Sequence, residues 1–199
     1  MNNIDSLYKI YSNVLELLKD RGYKIDKKYT CSKDKFKKKY YENDYNILVT
    51  HKKTKHKLYV FFSLHTKNKL QIIKQIIHDI FNTYTNKDFS TLIVLNKKPN
   101  NIIIKFINQS EYKHQTELFW TDILKINITK HILQPTFILL NETEKKEILE
   151  KYNIKIQQLP KLSIQDPICK YYKFPKFSVI KIIRKNSDSI NSEYYRYVS

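Results

Sequence analysis

The sequence predicts an α/β domain over residues 1–130 and a smaller α+β domain over residues 131–199. In the first region helical patterns alternate with strand-like apolar runs, an order typical of helices packed on a sheet. In the second, helix-start signals precede two apolar runs that predict a strand hairpin. Pro135 marks the boundary, because proline ends a helix and a new start signal follows it. The 199 residues, 41% of them hydrophobic, are enough for two packed cores.

The first helix is predicted to run to about Asp20. Apolar residues from Leu7 to Leu18 recur at spacings of three and four, and Asp5 or Ser6 stands where a cap is needed. Gly22 is the only glycine of the chain, and it follows the helix where a left-handed cap would end it. We therefore expect an amphipathic core helix.

The rest of the first region alternates between strand and helix patterns. A continuous apolar run at residues 91–95 is typical of a central strand, whereas residues 102–107 fit either type of element. A lysine cluster at residues 33–39, interrupted by Phe36, predicts the solvated face of a helix. The remaining predictions are strands at residues 45–50, 57–63 and 115–120 and a helix that begins at Thr66.

Two helix-start signals appear in the second region. Asn141 and Glu144 form a variant of the capping box, and we expect the helix that they begin to bury Ile148 and Leu149. In Asp166-Pro167 the aspartate can cap a second helix, with the proline in its first turn. The chain then ends with predicted antiparallel strands at residues 178–184 and 193–198.

Composition excludes several functions. With one glycine, the chain lacks the glycine-rich loops of nucleotide sites and the nucleophile elbow of serine hydrolases. Cys31 and Cys169 are too few for a disulfide framework, and the histidines lack metal-binding spacing. We expect no cofactor, no metal and no small-molecule substrate. No apolar run is long enough for a membrane span and the N-terminus lacks signal-peptide features, so we expect an intracellular protein.

The chain is strongly basic, with a net charge of +18. Lysine supplies nearly all of this charge, since Arg21, Arg184 and Arg196 are the only arginines among 37 basic residues. Asparagine, isoleucine and tyrosine are also frequent and, like lysine, have A/T-rich codons, so we expect part of the lysine excess to reflect codon bias. The remainder favours long-range attraction to phosphate, with most of the basic weight in residues 1–130.

Several short stretches occur in the order and spacing of one known family. Residues 14–23 end in Asp-Arg-Gly-Tyr, and Phe36 precedes Tyr40. Residues 127–131 read Asn-Ile-Thr-Lys-His, and residues 159–184 combine a proline turn, an Asp-Pro helix start and an apolar strand with a basic edge. Together these stretches resemble the shared fifth subunit of eukaryotic-type DNA-dependent RNA polymerases, a family that also has archaeal members.

The resemblance implies a non-catalytic subunit with two parts. An N-terminal jaw domain, which in this family resembles restriction endonucleases in fold, lies beside the downstream DNA. A C-terminal assembly domain docks on the largest subunit, so the implied partners are the rest of the polymerase and, weakly and without sequence preference, DNA. Archaeal members lack the jaw, so this chain is similar to the eukaryotic or large-DNA-virus form. The implied location is the nucleus of a cell, or the virion or host cytoplasm for a virus.

The resemblance also implies two binding surfaces. Lys97, Lys98 and Pro99 form the candidate DNA-binding loop, where contact with phosphates would be independent of sequence. Arg184 and Arg196 would either pair across the terminal hairpin or reach carboxylates of the partner. The candidate assembly surface consists of Leu159, Pro160, Asp166, Pro167, Tyr171, Lys181, Arg184, Tyr195 and Arg196.

The chain departs from the family at several turns. Lys173, Phe177 and Ile190 stand where the family usually has glycine, and we expect reshaped loops there with the fold retained. Lys161 stands where the family has the arginine of a Leu-Pro-Arg turn, so a planar bidentate donor is lost.

Two other functions stay open on the sequence alone. A free-standing nucleic-acid-binding protein would use the basic first region. A nuclease of the restriction-endonuclease type would need an acidic residue, for which Asp44 is the candidate, and a Glu-x-Lys trio on the next strand to hold Mg²⁺. Residues 58–62 offer neither a carboxylate nor a lysine, so we expect no enzymatic activity.

Overall fold

The structure is a computed structural model, and it describes residues 4–64, 69–84, 89–185 and 191–199. The chain divides into two compact units, residues 1–126 and 127–199. The predicted domain boundary, between residues 130 and 131, lies just inside the second unit. No helix in the described ranges is long and apolar enough to cross a membrane.

A mixed five-stranded sheet forms the centre of the first unit, as far as the described residues extend. Its strands are β1 Tyr23–Lys24, β2 Ile47–His51, β3 Lys57–Ser63, β4 Phe89–Leu95 and β5 Thr116–Trp120. They lie side by side in chain order, with antiparallel pairing from β1 to β3 and parallel pairing from β3 to β5. Every residue of β4 is buried, which confirms that this strand lies inside the sheet.

The helices of the first unit pack apolar stripes beside this sheet. They are α1 Ile4–Asp20, α2 Lys33–Tyr41, α3 Leu70–Thr83, α4 Asn101–Gln109 and α5 Thr121–Leu124. The predicted cap of α1 is wrong, because Asp5 and Ser6 lie inside the helix. Gly22 has a φ of +86° and ends α1 as predicted. The predicted helix start at Thr66 lies outside the described residues.

The ambiguous residues 102–107 are helical. Asn100 explains this outcome, because its side-chain oxygen accepts a hydrogen bond from the Ile103 N–H at 3.0 Å and so caps α4. The apolar run of residues 102–107 fits either a helix or a strand. The polar cap that precedes it favours the helix.

A smaller mixed sheet organises the second unit. Its strands are β6 Thr136–Leu139, β7 Lys161–Leu162, β8 Val179–Lys185 and β9 Asn191–Val198, and its helices are α6 Glu142–Lys151 and α7 Pro167–Tyr172. The strand order is β6-β8-β9-β7, in which β8 and β9 form the predicted antiparallel hairpin and β7 runs parallel to β9. The prediction of helices combined with sheets is confirmed, and both sheets are mixed.

Both predicted helix starts of the second unit are present. The Asn141 side chain accepts from the Glu144 N–H at 2.9 Å, and the Glu144 carboxylate accepts from the Asn141 N–H at 2.8 Å. At α7 the Asp166 carboxylate accepts from the Ile168 N–H at 2.8 Å, with Pro167 in the first turn. These caps satisfy backbone donors that have no partner inside the helix.

Apolar clusters lie on both faces of the second sheet. Ile180 and Ile182 belong to one cluster and Val179 to the other, as the alternation of a strand requires. Ile148 and Leu149 pack against the cluster of Val179 but are only half-buried, which corrects the expectation that α6 buries them.

Left-handed backbone occurs at two of the positions where glycine was expected. Lys173 has a φ of 55° and is the cap of α7, and Phe177 has a φ of 63°. The Phe177 N–H donates to the Val198 carbonyl at 2.8 Å, which makes Phe177 the first residue of a bulge before β8. Lys173 and Phe177 therefore adopt the left-handed backbone conformation although neither is a glycine. Ile190 lies outside the described residues.

Candidate protein- and DNA-binding surfaces

Part of the predicted assembly surface lines one open groove in the second unit. The groove has a volume of about 580 Å³ and runs along β9. Tyr152 and Ile154, which follow α6, add to its walls. The predicted residues that line it are Leu159, Pro160, Arg184, Tyr195 and Arg196.

Strand register places the two arginines of this groove. Arg184 lies opposite Ser192, and Arg196 lies opposite Ile180, so the two arginines do not pair across the hairpin. Because side chains alternate along a strand, Arg184, Tyr194 and Arg196 project from the same face of the sheet. The guanidinium carbon of Arg184 lies 5.3 Å from the centroid of the Tyr194 ring. This cation–π contact orients the arginine and leaves its planar donors available.

The opposite face of the hairpin carries a neutralised carboxylate. The Lys181 ammonium lies 2.6 Å from the Glu193 carboxylate, and the Tyr195 hydroxyl donates to the same carboxylate at 3.1 Å. The hydrogen bond from Lys181 is the main cause that lowers the pKa of Glu193, and in return it raises the pKa of Lys181. Lys181 is thus engaged within the chain, and the two arginines carry the positive charge of the groove.

Leu159 and Pro160 form one end of the groove in different ways. Leu159 is buried among Leu140, Val179 and Tyr197, so it contributes mainly to the core. Pro160 is exposed, and its carbonyl accepts a hydrogen bond from the Tyr197 N–H at 3.1 Å. The turn is thereby fixed against the last residues of β9.

The structure does not bring the other predicted assembly residues to the groove. Asp166 is occupied as the cap of α7, and Pro167 beside it is exposed. Tyr171 is buried, with 6% of its surface exposed, and so offers little area to a partner. These three residues lie on α7 or at its start, and a role for them in binding stays a prediction.

The predicted DNA-binding loop connects β4 to α4. Lys97 and Lys98 are exposed, whereas Pro99 is buried and therefore shapes the loop. The loop lies at the carboxyl end of a parallel strand, where α/β sheets commonly place ligands. Its base is fixed by the Thr121 hydroxyl, which donates to the Asn96 carbonyl at 2.5 Å.

A nuclease site does not form around Asp44. Asp44 is exposed and precedes β2, while Leu58, Val60 and Phe62 of the neighbouring β3 are buried apolar residues. Within the described ranges, no group of three or more histidine, cysteine, aspartate or glutamate side chains could hold a metal ion. Among the described residues, the carboxylates and lysine that such a nuclease needs therefore do not come together beside Asp44.

Several residues that line the groove were not predicted from the sequence as part of the assembly surface. Side chains two residues apart on a strand lie on the same face of the sheet. The pattern of residues 193–198 could therefore have placed Glu193 on one face with Tyr195, and Tyr194 on the other face with Arg196. Tyr152 could not have been found in this way, because its ring reaches Tyr195, at 6.1 Å between centroids, only through tertiary packing.

Comparisons with known proteins agree on one family. Residues 1–80 match the family model described as RNA polymerase Rpb5, N-terminal domain, and residues 126–198 match RNA polymerase Rpb5, C-terminal domain. DNA-directed RNA polymerases IV and V subunit 5B of Arabidopsis thaliana is 31% identical over 199 residues, which cover 96% of this chain and 89% of that protein. Subunit RPABC1 of DNA-directed RNA polymerases I, II, and III is 29% identical in Caenorhabditis briggsae, covering 96% of this chain and 95% of that protein. The Dictyostelium discoideum subunit is also 29% identical, with 98% of each chain covered.

Proposed function

The chain belongs to the family of the shared fifth subunit of DNA-directed RNA polymerases, Rpb5, and we propose that it docks on the largest polymerase subunit through the groove in its second unit. Its role is structural: it helps to assemble the polymerase and takes no part in the chemistry of RNA synthesis. The observation that carries this proposal is the concentration of arginine in the groove.

Arginine is the informative cation in this chain, because only three of its 37 basic residues are arginines. Arg184 and Arg196 line the groove, and the third arginine, Arg21, is occupied in an ion pair with Glu117 at 2.9 Å. Arginine binds carboxylates through two parallel hydrogen bonds and loses less hydration than lysine. We therefore infer that the segment of the largest subunit that enters the groove carries carboxylates.

Aromatic and proline side chains supply the apolar part of the surface. Tyr194 is 48% exposed and Tyr152 is 53% exposed, so both rings are available to a partner. Exposed tyrosines beside arginines are typical of the residues that dominate binding energy at protein interfaces. Pro160 restricts the free backbone, which reduces the entropy lost on binding.

We further propose that the first unit is a jaw that lies near the downstream DNA inside the polymerase. Exposure of Lys97 and Lys98 on one loop supports a contact with phosphates. The mixed sheet with flanking helices is compatible with the restriction-endonuclease-like fold implied by the resemblance. By analogy with relatives named as subunits of RNA polymerases I to V, we propose a nuclear location.

Binding of substituted chains to the largest subunit tests this proposal. Arg184→Ala and Arg196→Ala should each weaken the complex by roughly 2 kcal/mol, or about 30-fold, as expected for an interface arginine. Arg184→Lys should restore little of the loss, because lysine cannot form the bidentate contact. Lys176→Ala, at another exposed cation of the same unit, is the matched control. Equal binding by the arginine variants and the control would place the docking surface elsewhere.

A further inference from the structure

The outer edge of β9 is open beside the groove. β7 pairs with β9 only at Lys161 with Tyr197 and at Leu162 with Val198. Within the described residues, no other strand lies on this side of β9, so its residues 191–196 form a sheet edge. Pro160 precedes β7 and has no N–H. It therefore cannot donate a backbone hydrogen bond that would extend the pairing of β7 with β9.

Backbone groups along this edge alternate in direction. The Val198 N–H donates to the Ser178 carbonyl at 2.9 Å, toward the side of β8, whereas the Tyr197 N–H donates outward to Pro160 at 3.1 Å. Continuing this alternation, the N–H and C=O groups of Tyr195 and Glu193 point outward. No hydrogen bond from these backbone groups to another described residue is found.

We propose that an extended segment of the largest subunit adds to this edge as a further strand, beyond the point where β7 ends, and that carboxylates of this segment bind Arg184 and Arg196. The inference rests on the proposed function and goes beyond it by naming the conformation and charge of the partner segment. An open strand edge is a template for pairing with another chain, and pairing of this kind is a recurring mode of peptide recognition.

Charge around the groove favours an acidic segment. Among the described residues that line the groove, Glu193 is the one carboxylate. It is bound to Lys181 at 2.6 Å and to the Tyr195 hydroxyl at 3.1 Å, so it does not neutralise the arginines. Side chains of an added strand alternate between the two faces of the sheet. Those on the side of Arg184 would be acidic, and those on the other side would pack against Tyr152.

A proline substitution separates backbone pairing from side-chain contact. Because the Tyr195 N–H points away from β8, Tyr195→Pro removes the outward donor and keeps the ladder of the hairpin. Tyr195→Ala removes the same side chain and keeps the donor, so it is the matched control. In the full chain, Tyr195→Pro should bind the largest subunit roughly fivefold more weakly than Tyr195→Ala, as expected for the removal of one hydrogen bond. Equal affinities would overturn strand addition.

Amide hydrogen exchange provides a second readout that needs no substitution. In the complex, the Tyr195 and Glu193 amides should exchange more slowly than in the free chain, while the Tyr194 and Arg196 amides, which face β8, should change less. If the wild-type chain binds without this protection, the inference fails and the proposed function stands. If the wild-type chain does not bind, both fail. Formation of a homodimer that Tyr195→Pro disrupts would assign the edge to a second copy and overturn the inference.

Discussion

The guanidinium of Arg21 lies 2.9 Å from the carboxylate of Glu117, which joins two residues 96 positions apart in the chain. Only 4% of the Arg21 side chain and 16% of the Glu117 side chain are exposed. Arg21 follows α1 and Glu117 lies on β5, so the ion pair connects the first helix to the last strand of the sheet. Arg21 also lies 5.7 Å from the centroid of the Phe119 ring.

Breaking this ion pair should destabilise the protein strongly. Arg21→Ala leaves a buried carboxylate without its cation, and such losses typically cost about 3–5 kcal/mol in the free energy of unfolding. The double variant Arg21→Met, Glu117→Leu should cost less than Arg21→Ala alone, because it leaves no buried charge. Urea denaturation measures both. A double variant that is less stable than the single variant would contradict this account.

Local features of the fold were predictable, whereas long-range ones were not. The cap of α6 depends on Asn141 and Glu144, three residues apart, and the sequence displays it directly. The Arg21–Glu117 pair depends on the order of the strands, which short-range patterns do not encode. The family resemblance implied Arg184 and Arg196 as assembly residues. No short-range pattern indicates Tyr152, whose position is set by the packing of α6.

Glycine at the left-handed cap of α7 should stabilise the second unit. Lys173 has a φ of 55°, which strains a side chain with a Cβ but not glycine. Lys173→Gly should therefore raise the free energy of unfolding by about 0.5–1 kcal/mol, after subtraction of the greater chain entropy of glycine. Lys170→Gly, inside α7, is the control and should lower it. Thermal denaturation of the two variants measures the difference, and a loss of stability in both would refute the strain argument.

The pKa of Glu193 should depend on Lys181. Hydrogen bonding to Lys181 lowers this pKa from its ordinary value of 4.5, so Lys181→Ala should raise it back toward that value. A lowered folded-state pKa contributes stability above the unfolded value, and this contribution disappears as the pH falls through the folded value. The part of the stability difference between wild type and Lys181→Ala that comes from this ion pair should thus be lost in acid, so the difference should become smaller. Titration of the Glu193 carboxyl by NMR checks the prediction, with Lys161→Ala as the control that leaves the pKa unchanged.

The second unit should fold and dock without the first. A fragment of residues 127–199 contains both helix caps of that unit and an apolar cluster on each face of its sheet. We expect a cooperative thermal transition for this fragment and binding to the largest subunit with the affinity of the full chain within a few-fold. The fragment of residues 1–126 should not bind. Binding by the first fragment alone would place the docking surface in the first unit.

Substitution of Lys97 and Lys98 should change DNA binding and leave assembly intact. Lysine acts as a point charge that favours phosphates over base edges, so each contact releases counterions without regard to sequence. In polymerase built with Lys97→Ala, Lys98→Ala, the slope of log affinity against log salt should flatten by roughly 0.9 for each phosphate that the variant no longer neutralises. Replacement of Lys105 and Lys113, which are exposed in the same unit, is the matched control for the removal of two charges. An unchanged slope would show that the loop does not touch DNA, and a polymerase that fails to assemble would identify the loop as part of a protein interface.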